Sequence, residues 1–126
     1  MLNAFQMLRS YLRLREAIKK ADKAHAKDGE RYYVMPAAKS NNLIIMDRFN
    51  FRKLKQKGYI TPKAHVRDLV AECFYCTPYR NGDGKMPVSI RKLKVKSYFS
   101  WVEAQRKLAK AKRRKAKEEA KNIPTA

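Results

Sequence analysis

From Arg106 to Lys117 the chain reads Arg-Lys-Leu-Ala-Lys-Ala-Lys-Arg-Arg-Lys-Ala-Lys, with no acidic residue until Glu118 and Glu119. Such a stretch favours helix but offers only Leu108 as a sizeable apolar side chain, so it can wind without burying anything. The core must therefore come from residues 1–105, a globular domain, with 106–126 as a basic helical tail whose end, 122–126, is expected to be disordered. The rest of the chain shares the bias. Lys and Arg number 31 against 11 Asp and Glu, a formal +20 on 126 residues. Self-repulsion of that size works against the compact state, so the charge implies a partner. The apolar share, 44%, is ordinary for a folded protein.

Within 1–105 the pattern predicts an α+β single domain, predominantly helical, with a β-hairpin and a long basic C-terminal helix. Met7, Tyr11, Leu14, Ile18, Ala21 and His25 are spaced by four, three, four, three and four, one stripe along a helix over about 5–28. Asp28-Gly29 closes it. Arg31–Met35 and Leu43–Met46 are rich in aromatic and β-branched residues and flank a polar connector, a hairpin pattern. Gly58-Tyr59-Ile60 is the expected extra strand. Asp47 or Asn50 can cap a short helix through Phe51, Leu54 and Lys57. Thr61-Pro62 offers a second start, with Val66, Leu69, Val70, Cys73 and Phe74 as its apolar face. Pro87 opens the last helix, where Ile90, Leu93, Tyr98, Trp101 and Val102 can pack.

Two cationic groups are candidate binding surfaces. The tail carries Arg106, Lys107, Lys110, Lys112, Arg113, Arg114, Lys115 and Lys117, which Glu103, Glu118 and Glu119 cannot balance through i,i+4 pairs. A density of this kind suits phosphate neutralisation with counterion release. Arg48, Arg52, Lys53, Lys55 and Lys57 form a second strip, interleaved with Phe49, Phe51 and Tyr59. Cations beside rings suit single strands, because bases stack while cations follow phosphates. Phe51 and Leu54, three apart, read as core anchors, which leaves Phe49 and Tyr59 as the exposed rings. Tyr79 and Arg80, next to the turn Asn81-Gly82-Asp83-Gly84, could form a recognition loop or a packed corner.

Nothing here assembles into a catalytic constellation. Cys73 and Cys76 have C-x-x-C spacing, yet zinc needs four ligands, and His25 and His65 stand at no recognised zinc spacing from them. Their place on an apolar helix face predicts buried thiols. Asp68 and Glu72 share a helical face, with Arg67 or another cation available to neutralise them. No Walker, dinucleotide, G-x-S-x-G or H-E-x-x-H motif occurs. We expect no enzyme activity, metal or cofactor. Arg9, Arg13, Arg15 and Glu16 break up the mildly apolar start before a signal core or membrane span could form. The expected location is therefore cytoplasmic, or virion-associated, with no membrane partner.

The runs Leu12–Ile18, Ala21–His25, Arg31–Pro36, Phe51–Lys55 and Cys73–Arg80 resemble short uncharacterised proteins of Bacteroidetes bacteria and their phages. The resemblance covers residues 12 to about 102 and leaves the tail outside. It implies a phage or mobile-element setting and brings no fold, activity or site residue. The functional expectation is non-enzymatic binding of nucleic acid, DNA or RNA, in replication, packaging or genome organisation. The alternative is a structural virion or assembly protein docking on an acidic phage or host protein.

Overall fold

The middle of the chain alternates strictly. Tyr33 and Met35 point to one side and Val34 to the other, all three buried. A strand buried on both faces needs cover on both faces, and the computed structural model, which describes residues 2–37 and 42–121, supplies it. Its elements run α1 (Ala4–Asp28), β1 (Tyr33–Pro36), β2 (Leu43–Met46), α2 (Arg48–Gln56), α3 (Val66–Glu72), β3 (Tyr75–Cys76) and α4 (Val88–Lys121). This is an α+β single-domain fold. The sheet is antiparallel in the order β2-β1-β3, with Val34 opposite both Ile45 and Tyr75.

On one face α2 and α3 close over Tyr33, Met35, Met46, Phe51, Leu69, Cys73, Cys76 and Met86. On the other, α1 and α4 close over Leu14, Ala17, Ala21, Val34, Phe74 and Tyr98. Phe51 and Leu54 anchor α2 as expected. The aromatic centre of the second layer is Tyr98, 2% exposed, with Phe74 edge-on at 5.3 Å and its hydroxyl donating to the Ser10 carbonyl at 2.6 Å.

Local signals explain most boundaries. Asn3 and Gln6 exchange side-chain bonds with each other's backbone N–H at the start of α1. Gly29, at φ +74°, closes its end. Asp47 caps α2 by accepting from the Asn50 N–H at 2.9 Å. Pro87 precedes α4, its carbonyl accepting from Arg91 N–H.

Several expectations need correcting. Gly58-Tyr59-Ile60 is not a strand: Gly58 is left-handed, its N–H goes to Lys55 and that of Tyr59 to Leu54, a Schellman closure of α2 that uses up the strand's donors. The third strand is Tyr75–Cys76. Thr61-Pro62 makes a turn closed by Ala64 N–H, and α3 begins at Val66 instead, because Asp68 reaches back to the His65 N–H at 2.8 Å. His65 is thus the cap residue, and Asp68, expected to meet a neutralising cation, bonds this backbone N–H. Cys73 and Phe74 lie beyond α3, where Phe74 N–H joins Val34. The buried seam of α1 is Ser10, Leu14, Ala17 and Ala21, while Met7 and Tyr11 are exposed. Small Ala17 and Ala21 let the sheet approach closely, which turns the helix away from the predicted stripe. Ile90 and Leu93 are likewise exposed, and Val95, Tyr98 and Val102 make the packed face of α4.

Part of the polar connector, 38–41, and the expected disordered end, 122–126, lie outside the described residues. Among the described residues no helix is long and apolar enough to cross a membrane.

Candidate nucleic-acid interface

The helix α4 is unbroken from Val88 to Lys121, so helical geometry fixes where the tail cations point. At 100° per residue, Arg106, Lys107, Lys110, Arg113, Arg114, Lys117 and Lys121 fall within an arc of about 120°. Lys112 and Lys115 stand on the far side with Leu108. The packed seam of α4 continues past Val102 as Ala109, Ala116 and Ala120, about a quarter turn from the cations. The tail is thus a one-sided rod, exposed along its whole length from Arg106 and about 22 Å long. Lys121, absent from the sequence-derived set, belongs to it; only the helical phase reveals this.

Like charges meet along the stripe at Arg106/Lys110, Lys110/Arg114, Arg113/Lys117 and Lys117/Lys121. Each i,i+4 pair of this kind costs a few tenths of a kcal/mol. Among the described residues the rod makes one ion pair, Lys107 with Glu103 at 3.9 Å. A polyanion laid on the stripe would relieve this repulsion.

The second strip divides. Lys55 is committed to the body, its Nζ donating to the Ala64 carbonyl at 2.7 Å. Lys53 is exposed on α2 and Lys57 at its C-terminal cap. Arg48 and Arg52 instead face a cleft shared with Arg31 and Arg80, two arginines that the sequence strip did not contain. Phe49, beneath the Arg48 guanidinium, is 47% exposed and Tyr59 78%. The turn Asn81–Gly84 holds Arg80 and Tyr79 in place through Tyr79 N–H to Asp83 and Gly82 N–H to Tyr79.

Tail and cleft are not brought together. Tyr75 ties Asp22 of α1 to the guanidinium of Arg91, while Tyr98 reaches Ser10, so α4 runs antiparallel to α1. Arg106 emerges beside Ser10 and Arg13, whereas the cleft begins at Gly29 and Glu30. About 25 Å of helix separates them.

The two cysteines are buried and free, straddling the end of α3 and β3. Hydrogen bonding from the Cys73 thiol, opposed by burial and reinforced by Arg31, brings Cys76 down to about 6. Cys73, which keeps the shared proton and is buried, moves up. The Arg31 Nη2 lies 3.1 Å from the Cys76 sulfur, so the thiol serves as an anchor for Arg31. Lys94 gathers the last carbonyls of α3, donating to Val70 at 2.8 Å and Cys73 at 2.9 Å. Among the described residues no three His, Cys, Asp or Glu side chains gather where they could hold a metal ion.

No protein-family model, curated protein or solved structure matches this chain.

Proposed function

We propose that this protein binds nucleic acid without catalysing a reaction on it, and that the one-sided rod of α4 is its principal contact. The stripe carries the reading. Over 22 Å of duplex axis one strand presents roughly six phosphates, and seven cations occupy the same length of helix. The rod holds them at fixed spacing and leaves no apolar side chain larger than alanine except Leu108, on the other face, to compete for a protein partner. Phosphate contact of this kind positions a protein on a strand without reading its sequence. A role in replication, packaging or organisation of a phage or mobile-element genome follows from combining that binding mode with the resemblance of residues 12–102.

The test is binding of single- and double-stranded DNA and RNA at 50 and 200 mM salt. About six phosphate contacts predict a fall in affinity of roughly a thousandfold between the two, with slight sequence preference. Absence of salt-dependent binding would refute the reading.

One observation favours docking on an acidic protein instead. Phe5, Leu8 and Leu12 stand on the face of α1 opposite its buried seam, exposed by 67%, 55% and 47%, with Arg9 beside them. Stable capture of one acidic protein, with no shift of any nucleic acid, would select that alternative.

A further inference from the structure

A cleft of about 800 Å³ opens at the C-terminal end of α1. Four guanidinium groups line it, and their commitments differ. Arg31 is part of the wall: it donates to the Thr77 carbonyl at 3.0 Å and the Gly84 carbonyl at 3.1 Å, and lies 4.4 Å from the centre of the Tyr79 ring. Arg80 donates one bond to the Asp28 carbonyl at 2.6 Å, which steadies its head at the rim. Arg52 is exposed and makes no hydrogen bond or ion pair among the described residues.

The acid opposite them is Glu30. Its two oxygens are shared, one 3.4 Å from Arg48 Nε and the other 3.9 Å from Arg80 Nη2. Charge-assisted bonds close at about 2.7–2.9 Å, so neither contact is a formed bond. Asp83, the other carboxylate of the lining, is held in its turn by the Asn81 amide at 2.9 Å. Four cations against two acids leave the cleft at +2. A tetrahedral dianion with three free oxygens would satisfy the forks of Arg48, Arg52 and Arg80 better than the one carboxylate shared at 3.4 and 3.9 Å does. Tyr79, 49% exposed, adds a ring at the rim, and the volume falls within that of small-molecule sites, about 300–1,000 Å³.

We infer that this cleft takes the phosphate of an unpaired nucleotide, on a strand end or free, with Glu30 as the internal carboxylate that the phosphate displaces. The inference deepens the nucleic-acid reading but concerns a site about 25 Å from the rod, so the two can fail separately. It makes predictions of opposite sign. Removing Arg52 takes away a phosphate donor that supports nothing else; removing the charge of Glu30 takes away the competitor.

The experiment uses the full chain with the rod weakened by Arg106→Gln, Lys110→Gln, Arg113→Gln and Lys117→Gln, which remove four of the seven stripe cations. Fluorescence anisotropy follows a six-nucleotide single strand, labelled at its 3′ end, with and without a 5′-phosphate. Binding of the phosphorylated strand should be several-fold tighter, should weaken about tenfold with Arg52→Gln, and should strengthen several-fold with Glu30→Gln. Competition by a nucleoside monophosphate at comparable concentration would assign the site to free nucleotides; displacement by strands alone would assign it to strand ends. Thermal melts followed by circular dichroism report on folding of each variant. The proposal is overturned if Arg52→Gln and Glu30→Gln shift binding in the same direction, or not at all, while the wild-type chain still binds duplex with a steep salt dependence. Loss of that salt dependence would refute the rod instead and leave the cleft to be judged on the hexamer.

Discussion

Two pairs of lysines on the same helix test the geometry of the rod in variants of equal total charge. Lys110 and Lys117 lie inside the stripe; Lys112 and Lys115 lie behind it. Replacing either pair with Gln takes the formal charge from +20 to +18 and alters helix propensity little. If the stripe meets phosphates, about six contacts give a slope of log affinity against log salt of about −5.5, and losing two brings it to about −3.5. At 100 mM salt the lost counterion release alone is worth roughly thirty- to hundredfold in affinity. The rear pair should leave the slope unchanged and weaken binding by no more than a few-fold, because charges across the helix act through a screening length of about 10 Å. Fluorescence anisotropy with a 24-base-pair duplex between 50 and 250 mM KCl measures both numbers. Equal loss from the two pairs would mean that bulk charge acts, not the stripe. A larger loss from Lys112 and Lys115 would put the contact on the wrong face and refute the reasoning.

Tyr98→Phe should destabilise the fold by about 1–2 kcal/mol, since the buried Ser10 carbonyl loses its donor, and should lower the midpoint of a thermal melt by a few degrees. Removing residues 106–126 should leave a cooperative melt near that of the full chain, because the packed face of α4 ends at Val102; a molten product would show that the tail supports the body. Under reducing conditions stability should rise from about pH 6 to about pH 8, beyond which the raised Cys73 thiol, ionising only in the unfolded chain, opposes the gain. Cys76 ionises near 6 when folded and near 8.5–9 when unfolded, so its contribution is present above 9 and lost as pH falls through 6. The slope over that window should vanish in Cys76→Ala; an unchanged slope would refute the Arg31–Cys76 anchor.

Elements announced by a single local cause were legible in the sequence. The cap at Asp47 or Asn50, which falls to Asp47, Gly29 as stop, Pro87 as opener and the paired apolar runs of the hairpin each act on neighbouring backbone, and each stands where its chemistry puts it. Where two local causes competed, the sequence could not rank them. Thr61-Pro62 and His65–Asp68 both offer a helix start four residues apart, and the reciprocal bond from Asp68 wins. The face of α1 was misread for a different reason. Periodicity ranks Met7 and Tyr11 above Ser10 and Ala17 by hydrophobicity, but the seam is chosen by how closely the sheet and Tyr98 can approach, which favours small side chains. The two-residue β3 has no periodicity to detect; it exists because Phe74 N–H finds the Val34 carbonyl of β1 and Thr77 N–H the Tyr32 carbonyl just before that strand.

The same division separates the two basic surfaces. The rod is a property of one helix, so its cations could be named from sequence, and only their phase, with Lys121 inside and Lys112 and Lys115 outside, awaited an unbroken helix. The cleft is a property of three segments distant in sequence: the end of α1, the start of α2 and the turn after β3. Sequence reading placed Arg48 and Arg52 on a strip with Lys53, Lys55 and Lys57, because neighbours in the chain were all it had. The fold redistributes them. Lys55 turns inward to the Ala64 carbonyl, and Arg48 and Arg52 join Arg31 and Arg80, which local motifs could flag only as part of a strand or a turn. The pinning of Arg31 by Cys76 explains why a reactive-looking pair sits under a basic cleft. The Cys76 sulfur fixes one guanidinium as wall, so the three that remain, with Glu30 at 3.4 and 3.9 Å from two of them and Asp83 held in its turn, are the groups the proposed anion would meet.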